Sequence, residues 1–356
     1  MNLFEYAKKY QYTFDEKEFN EVDNLVFSIL SYVDFNKLIL NKNTTIKDAA
    51  DIFNKIHNKK EFKYEMMAVK DGIKLFNIVK DNKRYKNIRI SNYAYIGDEK
   101  EQFSAITFDI SDKVSYISFE GTDKLVSGWK EDAMTSYVFP VPSQRSAIKY
   151  LNKYFTFSNK KLIIGGHSKG GNLALVSSMY CNFLVQKKII RIYSNDGQGL
   201  RKDEIDSKKY MKIYDRYNHI IPYNSFVGIL LRHESFDESL TVDSNKPLLL
   251  SHSAGSWIID NNHFIRRDIS SKSIKIDKIM SNWLDKYDYF TRKEFIDDIF
   301  NALKKNNITE ISQFKKNITN VFKLVKYSND ISKKSKNMIN ELKVIINKIN
   351  NALEER

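Results

Sequence analysis

Apolar residues in the first 85 positions recur at helix spacing. Phe19, Val22, Val26, Ile29, Leu30 and Val33 share one face, the mark of a half-buried helix. Thr45-Ile46-Lys47-Asp48 reads as a helix start, a hydroxyl followed three places on by a carboxylate, ahead of Ala49, Ala50, Ile52, Phe53 and Ile56. Met66, Val69, Ile73, Phe76, Ile78 and Val79 predict a third helix. The texture then changes. Segments 89–96, 103–110 and 114–119 are short, rich in β-branched and aromatic residues, and predict strands. A helix over 143–154 follows, then the apolar run Lys161 to Gly165, an apolar helix carrying Ala174 and Val176, and a strand over 189–193. Met211 to Tyr214, Thr241-Val242 and Leu248 to Leu250 are weaker strand candidates.

Strands alternating with helices predict an α/β fold with a mostly parallel central sheet covered on both faces. Beyond residue 290 the pattern is helical again. Met338, Leu342, Ile345, Ile349 and Ala352 form a stripe flanked by Ile339, Ile346 and Leu353. Such a stripe serves either a helix packed on the domain or a partner-binding helix. The expected organisation is an N-terminal helical region (1–85) packed on the core, an α/β core (86–290) and a C-terminal helical extension (291–356).

One pentad carries the sharpest chemical signal. Gly166-His167-Ser168-Lys169-Gly170 reads G-x-S-x-G, with an apolar strand before it and the apolar run from Gly171 to Val176 after it. A serine at a sharp strand-to-helix turn sits on strained backbone with its hydroxyl aimed outward, the nucleophile elbow of an α/β-hydrolase. The competing reading is a glycine-rich turn in another α/β fold.

Composition narrows the setting. The 356 residues are 42% hydrophobic and include only 12 Gly and 4 Pro, so a large core is expected and long disordered linkers are not. No apolar stretch reaches the roughly 18–20 residues of a spanning helix. Met1 to Glu5 lacks the basic and apolar regions of a secretory signal, so cytoplasm is the default expectation, with a signal-less secretion route left open. The single cysteine, Cys181, lies in an apolar helical stretch and reads as a buried inert thiol. The net charge of +14, mostly lysine spread along the chain, reads as solvated background or as attraction to an anionic membrane surface. No zinc-ligand spacing, phosphate loop or nucleic-acid motif is present, so neither a metal, a cofactor nor nucleic acid is expected.

Phe119-Glu120-Gly121-Thr122-Asp123, Trp129-Lys130-Glu131-Asp132 and Gly166 to Asn172 together resemble the class 3 (fungal-type) lipases. They are closer still to an uncharacterised bacterial branch of α/β-hydrolases related to them. Ser194 to Gly199, Ser225-Phe226-Val227-Gly228, His252 and Trp257 match that branch, and the likeness spans roughly residues 60 to 300. It implies an α/β-hydrolase fold with ester-type chemistry and leaves the substrate open.

Acyl transfer needs a nucleophile, a base, an acid to orient the base, and donors for the oxyanion. Ser168 is the nucleophile candidate. The fold's chain order of serine, acid, histidine removes His57 and His167. Among His219, His233, His252 and His263, His252 follows a candidate final strand, and the resemblance points to it too. Asp196 opens a glycine-rich loop after the 189–193 strand and is the acid candidate; capping its own turn is the competing role. Class 3 lipases place the acid one strand later in Asp-x-Val-Pro, where this chain reads His219-Ile220-Ile221-Pro222. Asp215 is the reserve.

The oxyanion donors expected are the backbone N–H groups of Lys169 and Thr122, with the Thr122 hydroxyl a further candidate. Glu120 stands where the lipases commonly have Arg. The segment from Leu125 to Pro140 is either a mobile cover or ordinary packing, and Phe226 to Leu231 is a candidate acyl-pocket wall. The function expected is a serine esterase, lipase- or phospholipase-like, acting on a lipid or other ester. The alternative is a catalytically weak hydrolase scaffold that binds a protein partner or a membrane surface.

Overall fold

Seven strands lie side by side in the order in which the chain makes them. The computed structural model describes residues 1–57, 65–231, 233, 239–310, 313 and 331–354. The strands are β1 (Arg89–Gly97), β2 (Gln102–Asp109), β3 (Val114–Phe119), β4 (Lys161–His167), β5 (Ile189–Asn195), β6 (Tyr217–Pro222) and β7 (Leu240–Val242). The first three pair antiparallel and the rest parallel. The fold is an α/β-hydrolase type with a mostly parallel sheet.

The helices ahead of the sheet are α1 (Leu3–Lys9), α2 (Glu21–Leu30), α3 (Ile46–Ile56) and α4 (Met67–Val79). Between strands run α5 (Val126–Met134), α6 (Pro142–Phe155), α7 (Lys169–Tyr180) and the one-turn helices α8 (Phe183–Gln186), α9 (Lys202–Ile205) and α10 (Lys208–Met211). After the sheet come a short hairpin, β8 (Ile259–Asp260) and β9 (His263–Phe264), and α11 (Ser271–Asp285), α12 (Tyr289–Lys305) and α13 (Lys333–Glu354).

The strand order has a geometric consequence. Parallel crossovers are right-handed in nearly all proteins. A sheet built in one direction therefore lays its connecting helices on a single face and leaves the other bare. Alternation along the strands shows both faces to be apolar. Phe103, Ile117, Leu162, Ile164 and Ile192 pack with Ala147 and Leu151 of α6 and Leu173 and Val176 of α7. Phe108, Tyr116, Ile163, Tyr193 and Ile220 point the other way, onto the N-terminal helices. Helix α2 supplies Val22, Leu25, Val26, Ile29 and Leu30, all at most 1% exposed, and each such burial is worth about 1.5–3 kcal/mol.

Local chemistry fixes these elements. Thr45 and Asp48 make the reciprocal cap expected from sequence. Arg84 is fully buried, pairs with the buried Asp23 at 2.6 Å, and donates to the carbonyls of Tyr12, Thr13, Lys17 and Glu18. That pair ties the α1–α2 connection to the end of α4.

Three expectations change. Leu248 to His252 is a 3-10 turn, not a strand; it follows Pro247, whose missing N–H suits the start of a helical turn. Met211 ends α10, and Tyr214–Arg216 is another 3-10 turn. Helices α1 and α11 were not legible in the apolar spacing. In α13, Met338, Leu342 and Ile345 pack with Trp283, Phe295 and Ile299; the side chains of Ile349, Ala352 and Leu353 lie outside the described ones. Among the described residues no helix is long and apolar enough to cross a membrane.

Candidate active site

Strand β4 runs straight into α7, and Ser168 is the hinge between them, at φ 58° and ψ −131°. A non-glycine residue there is strained, and such strain concentrates at functional sites. The flanking glycines are required by close approach. A Cβ on Gly166 would lie 2.3 Å from the Gly170 carbonyl carbon, and one on Gly170 would lie 2.1 Å from Phe119 O. The Ser168 N–H donates to Asn195 O at 2.9 Å. Its side chain is partly exposed, and among the described residues no hydrogen bond engages its hydroxyl. Lys169 is the first residue of α7, so its N–H has no intrahelical acceptor.

Asp196 follows β5 at φ 49° and is fully buried. Its Oδ2 lies 2.6 Å from His252 Nδ1. Its Oδ1 accepts from Ser225 Oγ at 2.6 Å and the Gly228 N–H at 3.0 Å. A Cβ on Gly228 would meet that oxygen at 2.4 Å, so only glycine lets the backbone come this close. Burial works to raise this carboxyl, but the His252 hydrogen bond and charge, with the Ser225 bond, hold it below the ordinary aspartate value. The carboxylate is therefore aimed at an imidazole and does more than cap its turn.

His252 ends the 3-10 turn and is about one quarter exposed, at 23%. Trp257 fixes that turn from below, donating Nε1–H to Ser251 O at 3.0 Å. His167 fixes it from the elbow: its Nε2 lies 2.8 Å from His252 O, and the two ring centroids are 4.5 Å apart. A carbonyl oxygen only accepts, so His167 Nε2 carries the proton. His167 Nδ1 then accepts from Tyr32 OH at 3.1 Å. Burial, then the neighbouring His252 charge, push the His167 ring down to about 3, so it is neutral. With Asp196 on Nδ1 of His252, Nε2 is the nitrogen left to take a proton.

The reserve acid does not join this cluster. Asp215 is exposed in the turn before β6, at the amino ends of the parallel strands, whereas the elbow sits at their carboxyl ends. His219 does come near. Its Nε2 lies 3.2 Å from Gly197 O and its Nδ1 2.8 Å from Ser239 Oγ, and burial pushes it down to about 4. Where the lipases carry a carboxylate, a neutral ring braces the Asp196 loop. His233 stacks on it at 4.1 Å, and His263 is largely exposed in β9.

Thr122 lies just past β3 and is buried. Its hydroxyl donates to Asp132 Oδ2, which commits that proton and leaves the backbone N–H as the donor it can offer. Asp132 is half-buried, its Oδ1 is shielded from solvent without a hydrogen-bond partner, and desolvation pushes its carboxyl up to about 6 against the pull of Lys169 and Thr122. The Lys169 ammonium is buried too, 2.7 Å from both Glu131 Oε2 and Gln102 O. Glu120 is buried, and desolvation together with Asp123 raises it well above the usual carboxylate range. In the candidate cover, Tyr137 packs with Trp283 and Phe295, with Met134 and Val138 alongside, while Trp129 is 40% exposed. Ile229 packs on Ile276 of α11.

A family model described as Mbeg1-like matches residues 79–301. The chain belongs to the Mbeg1-like family. That span contains Ser168, Asp196 and His252, and the family is lipase-like, in agreement with the class 3 lipase resemblance. No curated protein matches the chain by sequence. Among solved structures, the crystal structure of M37 lipase is similar at 16% identity and a TM-score of 0.34, over 65% of this chain and 77% of that one.

This Mbeg1-like chain also draws on residues ahead of the matched span that the sequence reading missed. Asn24 of α2 exchanges hydrogen bonds with the Asn195 side chain at 2.8 and 3.1 Å. Asn195 Nδ2 donates as well to Ser28 Oγ and Gly166 O, both at 3.0 Å. Tyr32 reaches His167. The helix and the turn after it thus hold Asn195, the residue before Asp196, and His167, the residue before Ser168. A signal existed: Asp23, Asn24 and Ser28 interrupt an otherwise apolar face, and buried polar groups occur where they have specific partners.

Proposed function

We propose that the chain is a serine hydrolase that cleaves carboxylic esters through an acyl-enzyme on Ser168. The observation that carries this reading is the 2.6 Å hydrogen bond between Asp196 Oδ2 and His252 Nδ1, with that ring set against the elbow by His167. The Ser168 proton passes to His252 Nε2 as Oγ bonds to the ester carbon. The carbonyl oxygen becomes an oxyanion, received by the N–H groups of Lys169 and Thr122. The bond to the leaving alkoxide then breaks, and that oxygen takes the proton from His252. Water repeats the sequence and frees the acid. Asp196 keeps the ring in the correct tautomer and stabilises the imidazolium.

Lipid or phospholipid esters are the favoured class, supported by the lipase-like family and the +14 charge, which draws the chain toward anionic surfaces. A fluorophosphonate probe and a panel of p-nitrophenyl esters and phospholipids test the proposal. Wild type is expected to label and turn over, and Ser168→Ala to do neither. Equal labelling of the two proteins rejects the assignment.

A further inference from the structure

Behind the Asp196 loop lies a cavity of about 470 Å³. Two of its walls are extensions of segments already holding the acid. Leu200 and Arg201 follow Asp196 within five positions. Leu231 follows Gly228, and the Gly199 N–H donates to Leu230 O at 2.9 Å, joining the walls. The other side is formed by Leu284 and Asp285 of α11 and Tyr289 and Arg292 of α12. The volume is that of a small-molecule site, and the lining is the usual mixture of apolar surface with a few polar groups.

Its polar groups favour an anion. Arg201, Lys202 and Arg292 face two carboxylates, Asp203 and Asp285. Asp203 is already paired with Arg201 Nη2 at 2.7 Å. Arg201 Nε is buried and has no acceptor. Arg292 gives Nε to Tyr287 O at 2.8 Å and Nη1 to Ser136 O at 2.5 Å. Both acceptors are neutral carbonyls, so neither bond balances its charge, and the nearby carboxylate that feels that charge, Asp288, accepts the Thr291 N–H at the start of α12. A guanidinium pinned by backbone carbonyls is a preorganised fork for a carboxylate or phosphate. Leu200, Leu231 and Leu284 supply the apolar remainder.

We infer that this cavity is a binding site for a single-chain amphiphile with an oxyanion head, phosphate or carboxylate. The head sits on Arg292 and the open Nε of Arg201, and the chain lies on the three leucines. Occupancy stiffens both segments that grip Asp196. If the hydrolase reading holds, the site selects esters that carry a negative charge; the binding itself does not depend on that reading.

The test is calorimetric titration of the full chain, in wild-type and Ser168→Ala forms, with octyl phosphate, octanoate and octyltrimethylammonium below their micelle concentrations. At least one anion is expected to bind both forms alike, the stronger of the two naming the head, and the cation is expected not to bind. Arg292→Gln is expected to weaken the anion at least tenfold, and Arg292→Lys by less. Leu231→Glu, which places a carboxylate in the cavity without touching the Arg292 contacts, is expected to abolish binding and serves if Arg292→Gln does not fold. Absence of anion binding, equal binding of the cation, or unchanged affinity in the folded variants overturns the inference. Because no turnover is read, a failed esterase assay leaves this result standing, and the reverse is equally true.

Discussion

Lys169 Nζ lies 2.7 Å from Glu131 Oε2, with both side chains at most 3% exposed. The pair sits directly behind Ser168, the proposed nucleophile, because Lys169 also carries the N–H proposed for the oxyanion. Glu131 further accepts from the backbone N–H groups of Gln102 at 3.0 Å and Ser143 at 2.8 Å. One carboxylate thus joins β2, α6 and the elbow helix.

Removing one partner of a buried pair leaves an uncompensated charge, which costs about 3–5 kcal/mol, whereas replacing both by apolar groups costs far less. Glu131→Ala is expected to lose that much stability in urea denaturation, and the Glu131→Leu/Lys169→Met double variant to recover part of it, the orphaned N–H groups of Gln102 and Ser143 retaining the rest. Additive losses would show that the pair is not coupled.

Asp196→Asn keeps the shape of the side chain but stops it from favouring the reactive tautomer of His252. In a well-studied serine protease the equivalent change costs about 10⁴ in kcat. A loss of that order is expected in the ester assay, while Asp215→Asn is expected to be silent. The opposite ranking would move the acid to Asp215.

Asp132 gives a pH signature. Its folded value of about 6 lies above the ordinary 3.8 of an aspartate. The unfolded chain therefore releases this proton first, and stability falls as pH rises through that interval. Asp132→Asn keeps an acceptor for Thr122 and removes the titration. Its stability relative to wild type is expected to climb between about pH 4 and pH 6 and to level off above. A flat difference would mean that the wild-type carboxyl titrates normally.

Tyr32→Phe removes the donor from His167 Nδ1 and leaves a buried acceptor unpaired, at about 1–3 kcal/mol. Because His167 sets the carbonyl of His252, kcat is expected to fall as well, with KM little changed. A loss of stability with turnover intact would restrict the bond to a structural role.

The legible parts were those encoded locally. The β-branched and aromatic content of 103–110 and 114–119, the Thr45 cap and the strand-elbow-helix passage at Ser168 each follow from neighbours a few residues apart. Asp196 could be nominated by its place after a strand and His252 by its order in the chain. Contacts that bridge distant segments were not readable: Tyr32 with His167, Asn24 with Asn195, Lys169 with Glu131. No helix or strand period links residues that stand 38, 135 and 171 positions apart. The turn carrying His252 was misread because three leucines in a row suit a strand and a 3-10 turn alike; the turn begins directly after Pro247.

The sheet's neighbour-by-neighbour order matters for synthesis. A ribosome hands out the strands in the same sequence in which they will stand, so each arrival meets an edge already waiting for it. The helices that close the far face emerge earlier still. The imidazole comes after β7, the last strand of the central sheet. A chain made only as far as that strand therefore carries Ser168 and Asp196 but not yet His252, the proposed base.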